Sequence, residues 1–479
     1  MTAISKNFAA RLESIVGASC VLTDDISCAN YAVDELTPSA VTRPSSAEEV
    51  AEIVRFAALE KLAIIPCGNR TKLAIGMPSS RYDIALDMTA LNQIPHYDPG
   101  DLTVSAEAGI PLAKLNSALN EHKQFLPLLV PWYSRSTIGG TIASGIDSPL
   151  RQFYGTTRDF LIGAEFVDGT GHLCKSGGRV VKNVTGYDLH KLLIGSLGTL
   201  AVITRLNFRT FPSPVASRGF VASFPSPEGA LALRRAIAGS SLTPLTLDIV
   251  SPELAQIFAT RTPATPETAV FAGEIHAAEQ TSLPPIGDWF NPREWQLCAA
   301  VAGTTEVLDR YARELTLLAE KSRATSTAIL GDTTRPALWG RLRESLPMLL
   351  EASPTTVIFK INVLPSHHTA LFANLQQIAD RATLPHALVA RAGGTIYFAL
   401  LPAAANEDTT TRLSQSIARI FDLISVSGGR ASPLFVPPDS KRSINVWGSL
   451  GSDLALMRRL KSAFDPQNIL APGRFAGGI

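Results

Sequence analysis

Three glycine-rich segments hold the residues best suited to chemistry. The first, Pro66-Cys67-Gly68-Asn69-Arg70-Thr71-Lys72, directly follows a short apolar run, Ala63-Ile64-Ile65. Successive small residues expose backbone N–H groups that can wrap a diphosphate, although such a loop also serves as a plain turn. The second is Ser136-Thr137-Ile138-Gly139-Gly140-Thr141-Ile142-Ala143-Ser144-Gly145. Its paired glycines let backbone approach a flat ring and its hydroxyls offer hydrogen bonds; a helix start packed tightly on a sheet would look the same. The third, residues 176–206, sets polar clusters around Gly186, Gly195 and Gly198 and ends in a β-rich run with Val202 and Ile203. Together they predict a large, planar, phosphate-bearing ligand lying across one domain.

Other chemistries lose ground. The sequence has no GxxxxGK[ST] loop and no GxGxxG between a strand and a helix; Gly169-Thr170-Gly171 falls in an expected hairpin. HExxH and GxSxG are absent, and the eight histidines lack zinc-like spacing. His367-His368, at a helix start, reads as a solvated pair, so no metal site is expected. Cys20, Cys28, Cys67, Cys174 and Cys298 are scattered without a CxxC pair, which supports neither a disulfide framework nor an iron–sulfur cluster. Redox chemistry here therefore needs an organic cofactor or a partner.

The elements that position these segments follow from pattern. Ser46 reads as an N-cap, with Glu48 and Glu49 in the first turn and Val50, Ile53, Val54 and Ala57 on one helical face. Residues 63–66, 84–88 and 102–106 read as strands and Pro111 opens a helix, a βαβ-like start that predicts parallel pairing. Residues 161–175 read as a hairpin and 200–208 as a strand. From about 215 to 425, strands alternate with amphipathic helices such as 312–321 and 370–382, which predicts a sheet covered by helices on one face. A last helix is expected over 452–464.

The chain has 479 residues, 46% of them hydrophobic and 18% charged, enough for two or three cored domains. Lys+Arg 43 against Asp+Glu 42 leaves a formal charge of +1, which offers no footprint for nucleic acid. No apolar run reaches the ~18 residues of a transmembrane helix, and residues 1–20 lack a signal-like apolar stretch. A cytoplasmic protein is expected, with any membrane association arising through partners.

The words GNRTKLAIG, LDMTALNQI, DPGDLTVSAEAGIPLAKLN, STIGGTIASG, YGTTRDFLIG, GRVVKNVTGYDLHKLLIGSLGTLAVIT and FDPQNILAPGRF resemble the vanillyl-alcohol oxidase and p-cresol methylhydroxylase superfamily of FAD-linked oxidases. Within it they are most similar to the small flavin subunits of bacterial glycolate oxidases. The resemblance spans roughly 40–213 and 455–475 in order. It implies an α+β fold with a two-part PCMH-type FAD-binding domain (40–213), an α/β cap (214–425), an N-terminal segment (1–39) and a C-terminal segment (426–479) returning to the FAD domain.

It also implies roles. Pro66, Cys67, Gly68, Asn69, Arg70, Thr71 and Lys72 would hold the diphosphate region, and Glu107, Ala108 and Gly109 would lie by the nucleotide half. Thr137, Ile138, Gly139, Gly140, Ser144, Gly145 and Gly198 would approach the diphosphate, ribityl chain or ring, with Val202 and Ile203 near the adenine end or in strand core. Relatives with covalent flavin use a histidine in or near the first loop; this loop has Asn69 and Arg70, so noncovalent FAD is expected.

The sequence departs from a complete hydroxy-acid dehydrogenase. Where related enzymes carry a histidine-rich HxGDGNxH, this chain reads Ala390-Arg391-Ala392-Gly393-Gly394-Thr395-Ile396-Tyr397. Ala471 stands where relatives commonly have Asn. Arg391 and Arg430 are candidates to anchor an anionic substrate, though each reads more often as a surface or interdomain ion pair. Tyr397 is a candidate to orient a hydroxyl, or core; His386 or Tyr397 would be the substitute base. The expectation is an FAD subunit acting with a larger flavin subunit and an iron–sulfur subunit on a small 2-hydroxy acid. A self-sufficient dehydrogenase and an inactive flavin-fold subunit are the alternatives.

Overall fold

The structure is a computed structural model that describes residues 6–179, 186–263, 283–441 and 444–479. The middle of the third glycine run, 180–185, therefore lies outside the described residues.

The glycine-rich domain has two sheets. Strands Ala40–Thr42, Ile84–Asp87 and Ile64–Cys67 pair in parallel, with Val21–Leu22 as an antiparallel edge. Helix Ala47–Glu60 begins at Ser46, whose hydroxyl accepts the Glu49 N–H at 3.1 Å. Its buried Val50, Ile53, Val54 and Ala57 pack between this sheet and Val167 and Val202 of the second. The second sheet is wholly antiparallel, in the order His96–Asp98, Thr103–Glu107, Ala201–Arg209, Leu161–Asp168, Leu173–Gly177. Of the three strands expected to pair in parallel, Ile64–Cys67 and Ile84–Asp87 do so, joined by Ala40–Thr42, which was not expected. Thr103–Glu107 leaves that sheet, because its partner is the distant Ala201–Arg209.

Strand Ile64–Cys67 gains a further neighbour from the far end of the chain. The Ile64 N–H donates to Ile469 O at 2.7 Å, and the Ala471 N–H donates to Ile64 O at 2.8 Å. Helix Leu454–Phe464 is docked by buried Lys461, which donates to Asp465, Thr199 O and Leu470 O at 2.6–2.9 Å.

The cap is an eight-stranded antiparallel sheet. Its order is Ser326–Leu330, Ala216–Phe224, Trp295–Gly303, Thr246–Val250, His386–Arg391, Thr395–Leu400, Val357–Asn362, Arg430–Phe435. Helices Pro227–Ala238, Thr305–Lys321, His368–Arg381 and Glu407–Val426 cover one face. The other face is buried too, a correction to the one-sided cover expected. Ile358, Val389, Tyr397 and Ala399 share one core with helices Pro252–Thr260, Arg335–Arg343 and Ser345–Ala352 and with Leu126–Val130 of the glycine-rich domain. Side-chain alternation decides which residues look that way: Phe359 and Phe398 face the helices, so Lys360 and its cross-strand partner Tyr397 face the glycine-rich domain.

His368 is also not solvated as expected. It is fully buried, with Nδ1 2.7 Å from Arg234 Nη1, and burial holds the imidazole neutral, at about 3. Among the described residues no three metal-ligating side chains gather, and no helix is long and apolar enough to cross a membrane.

Candidate functional site

A cleft opens where the loop after Ile64–Cys67 meets the second glycine segment. Gly68 is imposed by that meeting: a Cβ there would run into the Thr137 side chain. Thr137 in turn caps helix Ile138–Ser144, its hydroxyl accepting the Gly140 N–H at 3.3 Å. A Cβ on Gly140 would meet only the Thr137 hydroxyl, at 3.0 Å, so its bare side faces the cleft. Gly198, at φ +74°, lies against the Pro66 ring and completes the far wall.

The cleft brings together most of the residues singled out from sequence: Pro66 through Lys72, Thr137, Gly139, Gly140, Ser144, Gly198 and Ile203. It does not bring in five others. Glu107 accepts the Gln93 N–H at 2.9 Å; Gly109 packs against the Met88 carbonyl and donates to Leu91 O. Ile138 and Val202 lie in core, and Gly145 ends its helix at φ +61°. Gly139, although at the wall, is also a packing residue, because its Cβ would sit 2.7 Å from Ala108 Cβ.

Ala108, expected by the nucleotide half, also lines the cleft; sequence reasoning missed Leu73, Met88, Ala143, Leu197, Ala201 and Arg474. The signal for Arg474 was present in APGRF. Its guanidinium crosses to the first loop, where Nη2 donates to Leu73 O and Ile75 O.

The lining is electrostatically one-sided. It presents Arg70, Lys72 and Arg474 and, among the described residues, no carboxylate. Arg70 stacks over Tyr31, 4.2 Å from the ring centroid. Arg474 is 2% exposed, and its Nε has no hydrogen-bond partner among the described residues. Lys72 is 8% exposed and donates to the Thr71 hydroxyl at 3.0 Å and the Ser136 hydroxyl at 2.5 Å. Burial lowers its ammonium to about 7, with Glu344 opposing the shift. A cleft with three cations, a bare glycine wall and an unpartnered buried guanidinium nitrogen fits the dianionic, flat group that the resemblance implies.

Among the described residues the lining has no histidine and one thiol, which is inert. Cys67 donates to Leu86 O at 3.7 Å, and burial pushes the thiol far up.

Beyond Ser144 the chain turns into a second polar cluster under the cap. Lys360 Nζ donates to Gly145 O at 3.0 Å and lies 3.2 Å from Asp147 Oδ2. Arg151 and the Thr395 hydroxyl reach the same oxygen at 3.1 Å. Burial pushes the Asp147 carboxyl up, but Lys360 and Arg151 outweigh it and hold it below the ordinary value. Tyr397, 1% exposed, brings a hydroxyl with no hydrogen-bond partner among the described residues.

The substrate-anchor candidates separate. Arg391 is buried, its Nη1 2.9 Å from Asp248 Oδ2 and its guanidinium 6.0 Å from the Tyr397 ring centre. Burial raises the Asp248 carboxyl despite that partner. Arg430 is not brought in: its side chain is 86% exposed and lies 3.8 Å from Asp453. His386 stands at the strand's outer end, 4.0 Å from Asp380.

Comparisons with known proteins match this arrangement. Residues 38–177 match the family described as FAD binding domain, and residues 213–432 and 449–475 match FAD linked oxidases, C-terminal domain. The chain is 25% identical to glycolate oxidase subunit GlcD of Bacillus subtilis (strain 168) over 439 residues, covering 91% of this chain and 88% of that protein. It is 36% identical to glycolate oxidase subunit GlcE of Escherichia coli (strain K12) over 167 residues. That match spans 35% of this chain and about half, 47%, of the relative. The fold of p-cresol methylhydroxylase with substrate bound superposes with a TM-score of 0.77 at 18% identity, covering 98% of this chain and 97% of that one.

Proposed function

Because the chain belongs to the FAD-linked oxidase family and takes FAD as its cofactor, we propose that it oxidises a small 2-hydroxy acid as the FAD-binding subunit of a glycolate-oxidase-type complex. The backbone of Gly68–Thr71 would hold the diphosphate, with Arg70 and Arg474 beside it; Gly140, Ser144, Gly198 and Ile203 would line the ring and its ribityl chain. Bound there without a covalent link, FAD supplies an acceptor for the hydride leaving the hydroxyl-bearing carbon.

The observation that carries the substrate class is the cluster under the cap. Tyr397 and Lys360 project together from paired strands toward Gly145, at the end of the glycine helix, and the Tyr397 hydroxyl has no hydrogen-bond partner among the described residues. A buried donor of that kind is satisfied by a ligand oxygen. Arg391 would stabilise the negative charge of a carboxylate through the shared Tyr397 environment, while Asp248 holds the guanidinium in place.

The subunit role follows from the proton. Alcohol oxidation needs the hydroxyl proton removed as hydride departs, and a positioned base contributes about 10²–10⁴-fold. The turn joining His386–Arg391 to Thr395–Leu400 presents Arg391, Thr395 and Tyr397, none of which is a base at neutral pH. A larger flavin subunit and an iron–sulfur subunit would complete the chemistry and carry the electrons away. The alignment to GlcD runs through the cap, whereas that to GlcE covers a third of the chain, which favours a subunit with a complete cap; a self-sufficient dehydrogenase is the alternative.

The deciding experiment is anaerobic bleaching of the bound flavin by glycolate or D-lactate. Slow or absent bleaching of the isolated chain, accelerated by the two partner subunits, is expected. Rapid bleaching of the chain alone would establish the self-sufficient reading. Acid precipitation of the same sample should leave the yellow chromophore in the supernatant; colour in the pellet would overturn noncovalent binding.

A further inference from the structure

We propose that the protein forms a two-fold dimer through one edge of the cap sheet, strand Ser326–Leu330 of one copy pairing antiparallel with the same strand of a second copy. The inference goes beyond the proposed chemistry and depends on neither the cofactor nor the substrate.

A strand at a sheet edge presents backbone N–H and C=O groups that another strand can take. Folded proteins blunt such edges with short strands, charges, proline, bulges or covering chain. Among the described residues every other edge of this molecule is blunted. Val21–Leu22, Gln124–Phe125 and Phe211–Pro212 are two residues long. His96–Asp98 has three residues and places a charge at Asp98. Leu173–Gly177 carries the exposed Lys175, and Ile64–Cys67 is bridged by Leu470. The far edge of the cap sheet, Arg430–Phe435, has Arg430, Pro433 and a register shift against Ile358 and Phe359. There the Ser432 hydroxyl also donates to Val446 O, at 3.3 Å.

Ser326–Leu330 has none of these devices. Its sequence, STAIL, holds no charge and no proline, and its five residues pair with Ala216–Phe224 without a register shift. Ser326, Thr327 and Ile329 are exposed, the last by 41%. Among the described residues no strand pairs with its outer side.

The pattern of the strand selects a second copy as the occupant. An antiparallel register centred on Ala328 uses all five residues: Ala328 stands opposite its own counterpart, Thr327 opposite Ile329, and Ser326 opposite Leu330. Thr327 and Ile329 lie beside Ala222 and Phe220, on the face that the helices cover. Ile329 therefore meets a β-branched residue on its own face, a favourable cross-strand pair. Charge agrees with this direction. Arg323 precedes the strand and Asp332 follows it, both exposed. In this register Asp332 faces Ala324 of the second copy, next to Arg323, so opposite charges adjoin at both ends. An in-register parallel pairing would set like beside like. The contact repeats itself about a two-fold axis and closes at two copies.

The dimer leaves the catalytic region of each copy alone. Strand Thr395–Leu400, which carries Tyr397, lies five strands along the sheet from Ser326–Leu330. At ~4.8 Å per strand that is roughly 24 Å. The Arg430–Phe435 side stays open for other subunits.

The test uses full-length protein loaded with FAD, as wild type, Ile329→Lys, Arg323→Asp and the double variant Arg323→Asp/Asp332→Arg. Sedimentation equilibrium should give wild type twice the mass of one chain at about 10 µM, and each single variant should raise the dimer dissociation constant at least about tenfold. The double variant, which exchanges the two charges, should return toward wild type. Amide hydrogen exchange over residues 326–330 should slow as wild-type concentration rises and stay unchanged in Ile329→Lys.

Wild type that remains monomeric at about 100 µM would overturn the proposal. So would a dimer as tight in Ile329→Lys as in wild type, assemblies that grow past two copies, or protection of 326–330 only when other subunits are added. Should Ile329→Lys misfold, seen as loss of bound FAD, Arg323→Asp and its double variant decide alone.

Discussion

Glu344 of the cap accepts the backbone N–H of Trp132 in the glycine-rich domain at 2.7 Å, and this contact fixes a residue that would not otherwise hold its shape. Trp132 sits at φ +53°, a region a bulky side chain rarely adopts, directly before the segment that leads to Thr137 and Gly140. Glu344 is fully buried and is also 2.9 Å from Arg343 Nε, whose guanidinium lies over the Tyr133 ring. Glu344→Ala would remove the carboxylate shared by Arg343 and the Trp132 and Tyr133 N–H groups and release the strained loop. Urea unfolding should show a loss of about 3–5 kcal/mol. A loss below about 1 kcal/mol would mean that the loop holds itself.

The two adjacent glycines should respond differently. Gly139→Val drives a side chain into Ala108 and should cost about 1–3 kcal/mol or more of fold stability. Gly140→Val meets only a hydroxyl and the open cleft, so its melting temperature without cofactor should stay near wild type while FAD retention is lost. Retention of FAD by Gly140→Val would move the ring off that wall.

Asp147 makes stability depend on acid. Its carboxyl is held below the ordinary value in the fold, so its contribution is complete above the unfolded value of ~3.9 and disappears as pH falls through the folded one. Asp147→Asn should be about 1–3 kcal/mol less stable than wild type at pH 7. The two should converge on acidification below about pH 4, as followed by urea unfolding across pH. A gap that stays constant would place the stabilisation outside the Lys360–Asp147–Arg151 cluster.

Tyr397 separates a core role from a substrate role. Its hydroxyl makes no hydrogen bond among the described residues, so Tyr397→Phe should leave stability unchanged or raise it by up to about 1 kcal/mol. Bleaching by the hydroxy acid, in whichever assembly supports it, should slow at least tenfold, ~1.4 kcal/mol in barrier height. Wild-type bleaching would assign the ring to packing alone.

The Gly68 loop and the Gly139-Gly140 pair are legible in sequence because close backbone approach admits no larger residue. The same rule misplaces Gly109, because spacing does not say which side of the backbone is crowded; there it is the Met88 carbonyl. Glycines at 139 and 140 likewise look alike in sequence, yet a side chain at 139 would meet Ala108 and one at 140 only the Thr137 hydroxyl. Lys360 was invisible as a site residue, since its place depends on the register that pairs it with Tyr397. Arg391 and Arg430 read alike as cations, yet strand alternation buries one against Asp248 and the sheet edge exposes the other. The inward cover of the cap sheet was missed for a related reason: short helices such as Arg335–Arg343 are buried on most of their surface and show little amphipathic period.

Arg474 closes the loop at Leu73 from 401 positions downstream, and Ala471 adds its N–H to Ile64. During synthesis the glycine-rich domain leaves the ribosome first, but its cleft waits for a bridging segment and a guanidinium made only after the whole cap. Domains emerge at about 5–20 residues per second, so the gap lasts tens of seconds or longer. Cofactor loading is thereby placed after translation, and the nascent first domain, with one side of Ile64–Cys67 unpaired, is the stretch that a chaperone would have to shield.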